Sequence, residues 1–264
     1  MKLICALLLT LSCPAAAARA ESITIAAAVS MKEALEEVAA AYEKRTGDDV
    51  ELNFGSSGQL MTQIARGAPV DVFVPAADEQ MDQLARDGLI DPQTRVAIAG
   101  NRLVLIVPGD LAAAPMSFEG LADKRFKRIG IGQPDTVPAG KYAMQVLTHL
   151  GLAEALRPRL VYGANARQVL SYVARGEVDA GIVYRSDALA AGNVSVVATA
   201  DESWHEPIRY PAAVVNATRH RDAARRFVDF LRHDEAQQVL ARHGFTPPPP
   251  TPTPATQPAT LPAR

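Results

Sequence analysis

From Ser22 onward, short Val- and Ile-rich runs alternate with segments of helical period: SITIAAA, then SMKEALEEVAAAYEKR closed by Gly47, VELNF, QLMTQIARG, VDVFVPA and EQMDQLARDG. This βαβαβα order predicts a parallel sheet covered by helices on both faces, with right-handed connections. A second series starts at Arg102 with RLVLIVP and continues through RIGIG, a helix from about Ala139 to Leu150, a strand near Leu160, the helix RQVLSYVARG and the apolar strand DAGIVY. The last portion, YPAAVVN followed by RDAARRFVDFLR and DEAQQVLARHG, is too short for a third domain and is expected to return to one of the first two. The chain therefore divides into two doubly wound α/β lobes joined by a hinge, lobe 1 from residues 21–99 plus 212–246 and lobe 2 from 100–211, with a ligand cleft between them. In open α/β sheets ligands sit beyond the carboxyl ends of strands, so the strand-to-helix junctions are where binding residues belong.

The ends of the chain add a compartment. Lys2, the apolar run LICALLLTL and the small-residue site Ala18-Arg19-Ala20 read as a secretory signal peptide over residues 1–20, its apolar core too short to span a bilayer. The expected location is periplasmic. Leu11-Ser12-Cys13 loosely resembles a lipoprotein cleavage box, which makes a lipid anchor at Cys13 the lesser alternative. Both cysteines, Cys5 and Cys13, lie in this leader, so the mature chain would carry no disulfide and no thiolate metal site. Loss of Lys2 and Arg19 would take the net charge from −2 to about −4, a balance that offers nucleic acid no basic field. After Phe245 a Pro/Thr/Ala run without core-forming side chains reads as a disordered tail over 247–264.

Five junctions carry candidate chemistry. In AAAVSMKEAL, Ser30 followed by Glu33 has capping-box spacing, which a ligand-binding role for Ser30 does not exclude. In NFGSSGQLM, Ser56 with Gln59 repeats that spacing and leaves Ser57 in the first helical turn, between glycines that let backbone approach a bound group closely. No Gly-Lys-Ser/Thr follows, and FGSSGQL is not Gly-x-Ser-x-Gly, so neither a Walker loop nor a nucleophile elbow is present. In GQPDTVPAGKYAM, Pro138 suits the first helical position, and Ala139 and Gly140 offer accessible N–H groups. In YGANARQVL, Asn165 is a good N-cap with Ala166 just inside it. In GIVYRSDA, Tyr184 ends an apolar strand, where it either packs or presents its phenol to the cleft.

Helix N-termini rich in small and hydroxyl residues, with one phenol and no committed cation or metal ligand, make a donor set suited to a small, fully deprotonated oxyanion. A protonated phosphate would need an acceptor for its own proton, and no candidate position is a carboxylate. Sulfate-like dianions fit this set better.

The segments AAAVSMKEAL, FGSSGQLMTQIARGAPVDVFV, GNRLVLIVP, IGIGQPDTVPAGKYA, GIVYRSDA and YPAAVV resemble the periplasmic molybdate-binding proteins of ABC importers, within the type II periplasmic binding proteins, over nearly all of Ile23 to Phe245. The resemblance implies an oxyanion, molybdate or tungstate, held by the hydroxyls and N–H groups of Ser30 and Ser57, the N–H groups of Ala139 and Ala166, and the Tyr184 hydroxyl. It also implies a monomer that delivers this ligand to a membrane permease, with no cofactor and no catalysis. Three departures stand out: AAAVS in place of Ala-Ala-Ser, Ala166 where valine is common, and Pro75-Ala76-Ala77 where Ser-Ala-Asp is frequent, the last expected to lie outside the site.

The alternatives are a receptor for another tetrahedral oxyanion such as sulfate and a secreted hydrolase. His149, His205, His220, His233 and His243 form no HExxH, no ligand pair and no Ser/His/Asp pattern at a junction. Ferric-ion and organic-solute receptors would need clustered tyrosines and carboxylates or a cationic clamp, which the junctions lack. Arg167 and Lys141 lie next to the proposed donors and are expected to add field from behind them.

Overall fold

The computed structural model describes residues 20–109 and 117–250; the signal-peptide and Cys13 expectations fall outside them. Two five-stranded sheets carry the chain, and both are mixed rather than purely parallel. The first is built from β1 (Ser22–Ala28), α1 (Lys32–Thr46), β2 (Asp49–Gly55), α2 (Ser57–Ala65), β3 (Val72–Val74), α3 (Asp78–Arg86) and β4 (Val96–Gly100). The second comprises β5 (Leu103–Pro108), β6 (Ile129–Gly132), α4 (Pro138–His149), α5 (Ala153–Leu156), β7 (Leu160–Gly163), α6 (Ala166–Ala174), β8 (Ala180–Tyr184), α7 (Arg185–Leu189) and β9 (Val194–Thr199). The chain then returns through β10 (Arg209–Val214), α8 (Arg221–Phe230) and α9 (Asp234–Arg242). Strand order is β2-β1-β3-β10-β4 in the first sheet and β7-β6-β8-β5-β9 in the second. The antiparallel members are the strands nearest the crossings: β10 runs against β3 and β4, and β5 against β8 and β9.

Period-two alternation sorts the core. Ile23, Ile25, Val72 and Val74 face Leu35 and Val38 of α1 and Phe227 of α8, while Ala26 and Phe73 face Leu60 and Ile64 of α2 and Met81 of α3. In the second lobe Val104, Ile106 and Val183 pack on Val169 and Val173 of α6. The opposite face, with Leu105, Ile129 and Ile182, meets α4 through Tyr142 and Val146.

Chain crossings fall at Asn101–Arg102 and between Thr199 and Arg209, so Arg209–Pro211 belongs to the first sheet, earlier than the boundary at 211/212 predicted from sequence. The register shifts between Tyr210 and Pro211, and the irregularity accommodates a residue that cannot donate to the ladder. Arg209 pairs with Gly100, so the two strands that cross between lobes are hydrogen-bonded neighbours.

The start of the proline-rich segment is not free. Thr246 exchanges two backbone hydrogen bonds with Gly100, of 2.7 and 3.0 Å, and a Cβ on Gly100 would lie 2.9 Å from both Pro247 O and Pro249 Cδ. The buried Arg209 guanidinium donates to Pro249 O at 3.2 Å and to Pro250 O, besides its ion pair with Asp78. Residues 247–250 therefore lie on the hinge, contrary to the expected disorder from 247, because the Pro249 and Pro250 carbonyls accept from donors of a buried guanidinium that Asp78 alone does not fill; 251–264 lie outside the described residues. Deleting 247–264 should lower stability by about 1–3 kcal/mol, since it unpairs donors of a buried charge. An unchanged urea-unfolding midpoint would show that the segment contributes nothing.

Candidate functional site

In the parallel pair β1–β2, Ala28 lies beside Gly55, so the turns that follow, carrying Ser30 and Ser57, leave the sheet side by side. In β6–β7, Gly132 lies beside Gly163, and the turns after them lead to Ala139 and Ala166. Tyr184 ends β8 opposite Leu103, next to the hinge. All five proposed residues are at most 5% exposed.

Three of the four junctions begin regular helices. Ser56 caps α2 by accepting from Gln59 N–H at 3.4 Å, and Asn165 caps α6 by accepting from Gln168 N–H at 2.9 Å. Pro138 is the first residue of α4. First-turn N–H groups have no intrahelical acceptor, which leaves those of Ser57, Ala139 and Ala166 directed out of the helix ends. Gly140 differs from its expected role, since its N–H donates to Val137 O at 2.9 Å. What Gly140 supplies is room, because a Cβ there would sit 2.0 Å from Gly132 O.

The Ser30–Glu33 capping box does not form. Val29–Met31 makes a 3-10 turn of its own, α1 begins only at Lys32, and neither element has a side-chain cap. Ser30 Oγ instead lies 3.2 Å from Tyr210 Oη, and Tyr210 Oη accepts from Asn101 Nδ2 at 3.1 Å. The orientation of that amide is set by Arg102 N–H, which donates to Asn101 Oδ1 at 2.9 Å and so turns Nδ2 toward Tyr210 and Ser186. The Tyr210 hydroxyl thus takes a hydrogen bond from Asn101 and shares a second with Ser30, fixing the position of the Ser30 hydroxyl from behind. Asn101 and Tyr210 were missed in the sequence. The only signal was Tyr210 opening YPAAVV, and its role depends on a contact spanning 180 residues.

Ser57 is oriented in a similar way. Its Oγ accepts from Ala76 N–H at 3.0 Å, which holds the oxygen and frees its proton to donate. Ala76 O accepts from the Tyr184 hydroxyl of the other lobe at 3.4 Å, a long bond that an anion in the cleft would have to replace. The Pro75-Ala76-Ala77 loop, expected outside the site, thus touches two of its proposed members through backbone atoms that sequence cannot display. Burial holds the Tyr184 phenol well above its ordinary range, with Tyr210, Tyr142 and Asp187 adding to the rise, so it stays protonated and remains a donor. Its ring packs against Tyr142 and Tyr210, so packing and presentation coexist.

The lobes meet directly. Gly58 N–H donates to Thr136 O at 3.0 Å, just before α4, while Lys141 reaches Glu79 at 2.8 Å and Arg167 pairs with Glu33, both across the cleft. The two cations expected to add field are therefore neutralised by carboxylates of the opposite lobe, and the inner surface is left with neutral donors. A cavity of about 750 Å³ opens nearby between Asp78, Arg95, Lys141 and Arg209, but none of the five donors lines it, and Asp78 pairs with Arg95 and Arg209 while Lys141 pairs with Glu79. Among the described residues no group of His, Cys, Asp and Glu is arranged to hold a metal ion.

Two α/β lobes joined by a two-strand hinge are the architecture of a hinged solute-binding protein. The chain belongs to the bacterial extracellular solute-binding protein family, which it matches over residues 23–246. It is 42% identical over 226 residues to the Bacillus subtilis protein named "Putative ABC transporter substrate-binding lipoprotein YvgL", covering 85% of this chain and 86% of that one. It is 37% identical over 229 residues to the molybdate-binding protein ModA of Escherichia coli, covering 85% and 88%. The periplasmic molybdate-binding protein of Azotobacter vinelandii superposes with a TM-score of 0.78 at 28% identity, over 86% of this chain and all of that one.

A Cβ on Gly58 would stand 2.9 Å from the Cα and O of Thr136, backbone of the opposite lobe. Gly58→Ala should therefore oppose closure by about 1–3 kcal/mol, the usual magnitude of overpacking. Small-angle scattering should show a larger radius of gyration than wild type; identical profiles would mean that the lobes do not meet at Gly58 in solution.

Proposed function

We propose that this protein is an extracytoplasmic receptor that captures molybdate, and tungstate with it, and delivers the anion to the membrane permease of an ABC importer. The observation that supports it is the donor set: Ser30, Ser57, Ala139, Ala166 and Tyr184 are buried, uncharged and carried by turns at strand ends of both lobes, and the Ser57 oxygen accepts from a backbone N–H behind it. Such groups bind an anion that carries no proton of its own. Charge-assisted hydrogen bonds contribute about 1.5–3 kcal/mol each, enough in concert for micromolar affinity after the cost of association. The geometry serves any tetrahedral dianion; the choice of molybdate over sulfate follows the relatives at 37% identity and above 25% in the superposed structure.

In this reading the protein acts by binding rather than catalysis, in the periplasm or tethered outside the membrane, and as a monomer. Among the described residues no helix is long and apolar enough to cross a membrane. Titration calorimetry should give one molybdate per chain with sulfate and phosphate far weaker; equal affinity for sulfate, or no uptake of molybdate, would sink the assignment. Ser57→Ala and Tyr184→Phe should each weaken binding by about 1–3 kcal/mol. Wild-type affinity in both variants would place the anion elsewhere.

A further inference from the structure

Arg167 follows Ala166 at the start of α6, and its guanidinium faces carboxylates of both lobes. One is Glu33, in the first turn of α1 across the cleft; the other is Asp187 of α7 in its own lobe, with Oδ1 3.4 Å from Arg167 Nε. The Asp187 side chain is 0% exposed, and neither its oxygens nor Arg167 Nε make a hydrogen bond among the described residues. An uncompensated buried carboxylate is costly, so this one is held by little besides the guanidinium beside it. The α6 helix also packs on the Val29–Met31 turn that carries Ser30.

Building on the anion-binding assignment above, we propose that Arg167 is a positioning residue for anion capture: anchored on its own lobe by Asp187, it latches onto Glu33 when the lobes close, clamping the α6 N-terminus and its Ala166 N–H against the Ser30 turn. In an open form Glu33 stands in water and Arg167 is balanced by Asp187 alone. Closure brings a second carboxylate to the same guanidinium, and a proton on Asp187 restores neutrality.

Burial pushes the Asp187 carboxyl up to about 7, opposed by Arg167 and reinforced by Glu33. The other groups facing it are the Tyr210 phenol, itself held protonated by burial, and Arg185 of its own helix. The β5, β9 and Val29–Met31 segments packed on α7 carry no titratable side chain. Arg242 and His243 share a small cavity with Glu33 and Ser186, but both are paired with Glu37. Because Glu33 and the dianion both raise the Asp187 pKa, the closed liganded form binds more protons than the open one. Affinity is therefore favoured below pH 7 and declines as pH rises through it.

The test is calorimetric titration with molybdate at pH 6 and pH 8, in buffers of different ionisation enthalpy, for wild type, Glu33→Gln, Arg167→Lys and Asp187→Asn. Wild type should bind several-fold more tightly at pH 6, with proton uptake. Asp187→Asn should lose that pH dependence. Glu33→Gln, a change at a half-exposed position, should weaken binding about 3- to 10-fold, and Arg167→Lys should restore part of what a neutral residue would lose. Wild-type affinity and pH profile in Glu33→Gln would overturn the latch.

If wild type takes up no molybdate, the anion assignment fails by itself, and the latch is judged without ligand. Spin labels on Glu51→Cys and Lys124→Cys, in a sequence with no cysteine after Cys13, report the distance between lobes. Adding Glu33→Gln should lengthen that distance; an unchanged distribution would overturn the proposal.

Discussion

Parallel pairing of β1 with β2 and of β6 with β7 is the constraint on which the site depends. Parallel strands place their carboxyl ends together, so the turns that follow leave the same edge of the sheet. Ala28 beside Gly55, and Gly132 beside Gly163, bring four turns to two facing edges. A one-residue slip in either register would exchange the buried and exposed faces of a strand, so the apolar alternation that builds the core also aligns the donors.

The two lobes meet across those edges through a backbone hydrogen bond, Gly58 to Thr136, the Tyr184 contact with Ala76, and the ion pairs of Lys141 with Glu79 and of Arg167 with Glu33. Each cation is matched by a carboxylate of the other lobe. The lobes therefore attract each other through charge, while the donors proposed for the anion are uncharged hydroxyls and N–H groups. Their positions have identifiable causes: Tyr210, held by Asn101, bonds the Ser30 hydroxyl, and Ala76 N–H holds the Ser57 oxygen. The hinge is organised with similar economy, for Gly100 pairs with Arg209 on one side and Thr246 on the other.

Much of this was legible in the residues. The helix starts at Ser56, Pro138 and Asn165 followed from capping and proline chemistry, which act within four residues and so leave a local trace. Ser30 misled for the same reason. Its spacing to Glu33 has the form of a cap, but the extra 3-10 turn moved the helix start past it and both side chains found partners more than a hundred residues away. Proline content likewise suggested disorder from 247, although Pro247, Pro249 and Pro250 contact the hinge, the last two through carbonyls that accept from the buried Arg209 guanidinium. The purely parallel sheet was mistaken because strand direction follows from how a segment returns, and β10 re-enters the first sheet after an excursion through the second.

The sequence by itself determined two α/β lobes, a return of the C-terminal portion, and uncharged donors at helix starts, because periodicity, capping and side-chain inventory are local properties. Tertiary structure alone decided which way each hydroxyl points, that Arg167 and Lys141 spend their charge on the opposite lobe, and that Asp187 is buried beside Arg167. The physical reason is range. A hydroxyl takes its direction from whichever acceptor or donor packs behind it, and a charge is felt or cancelled according to partners that only folding brings within a few ångströms.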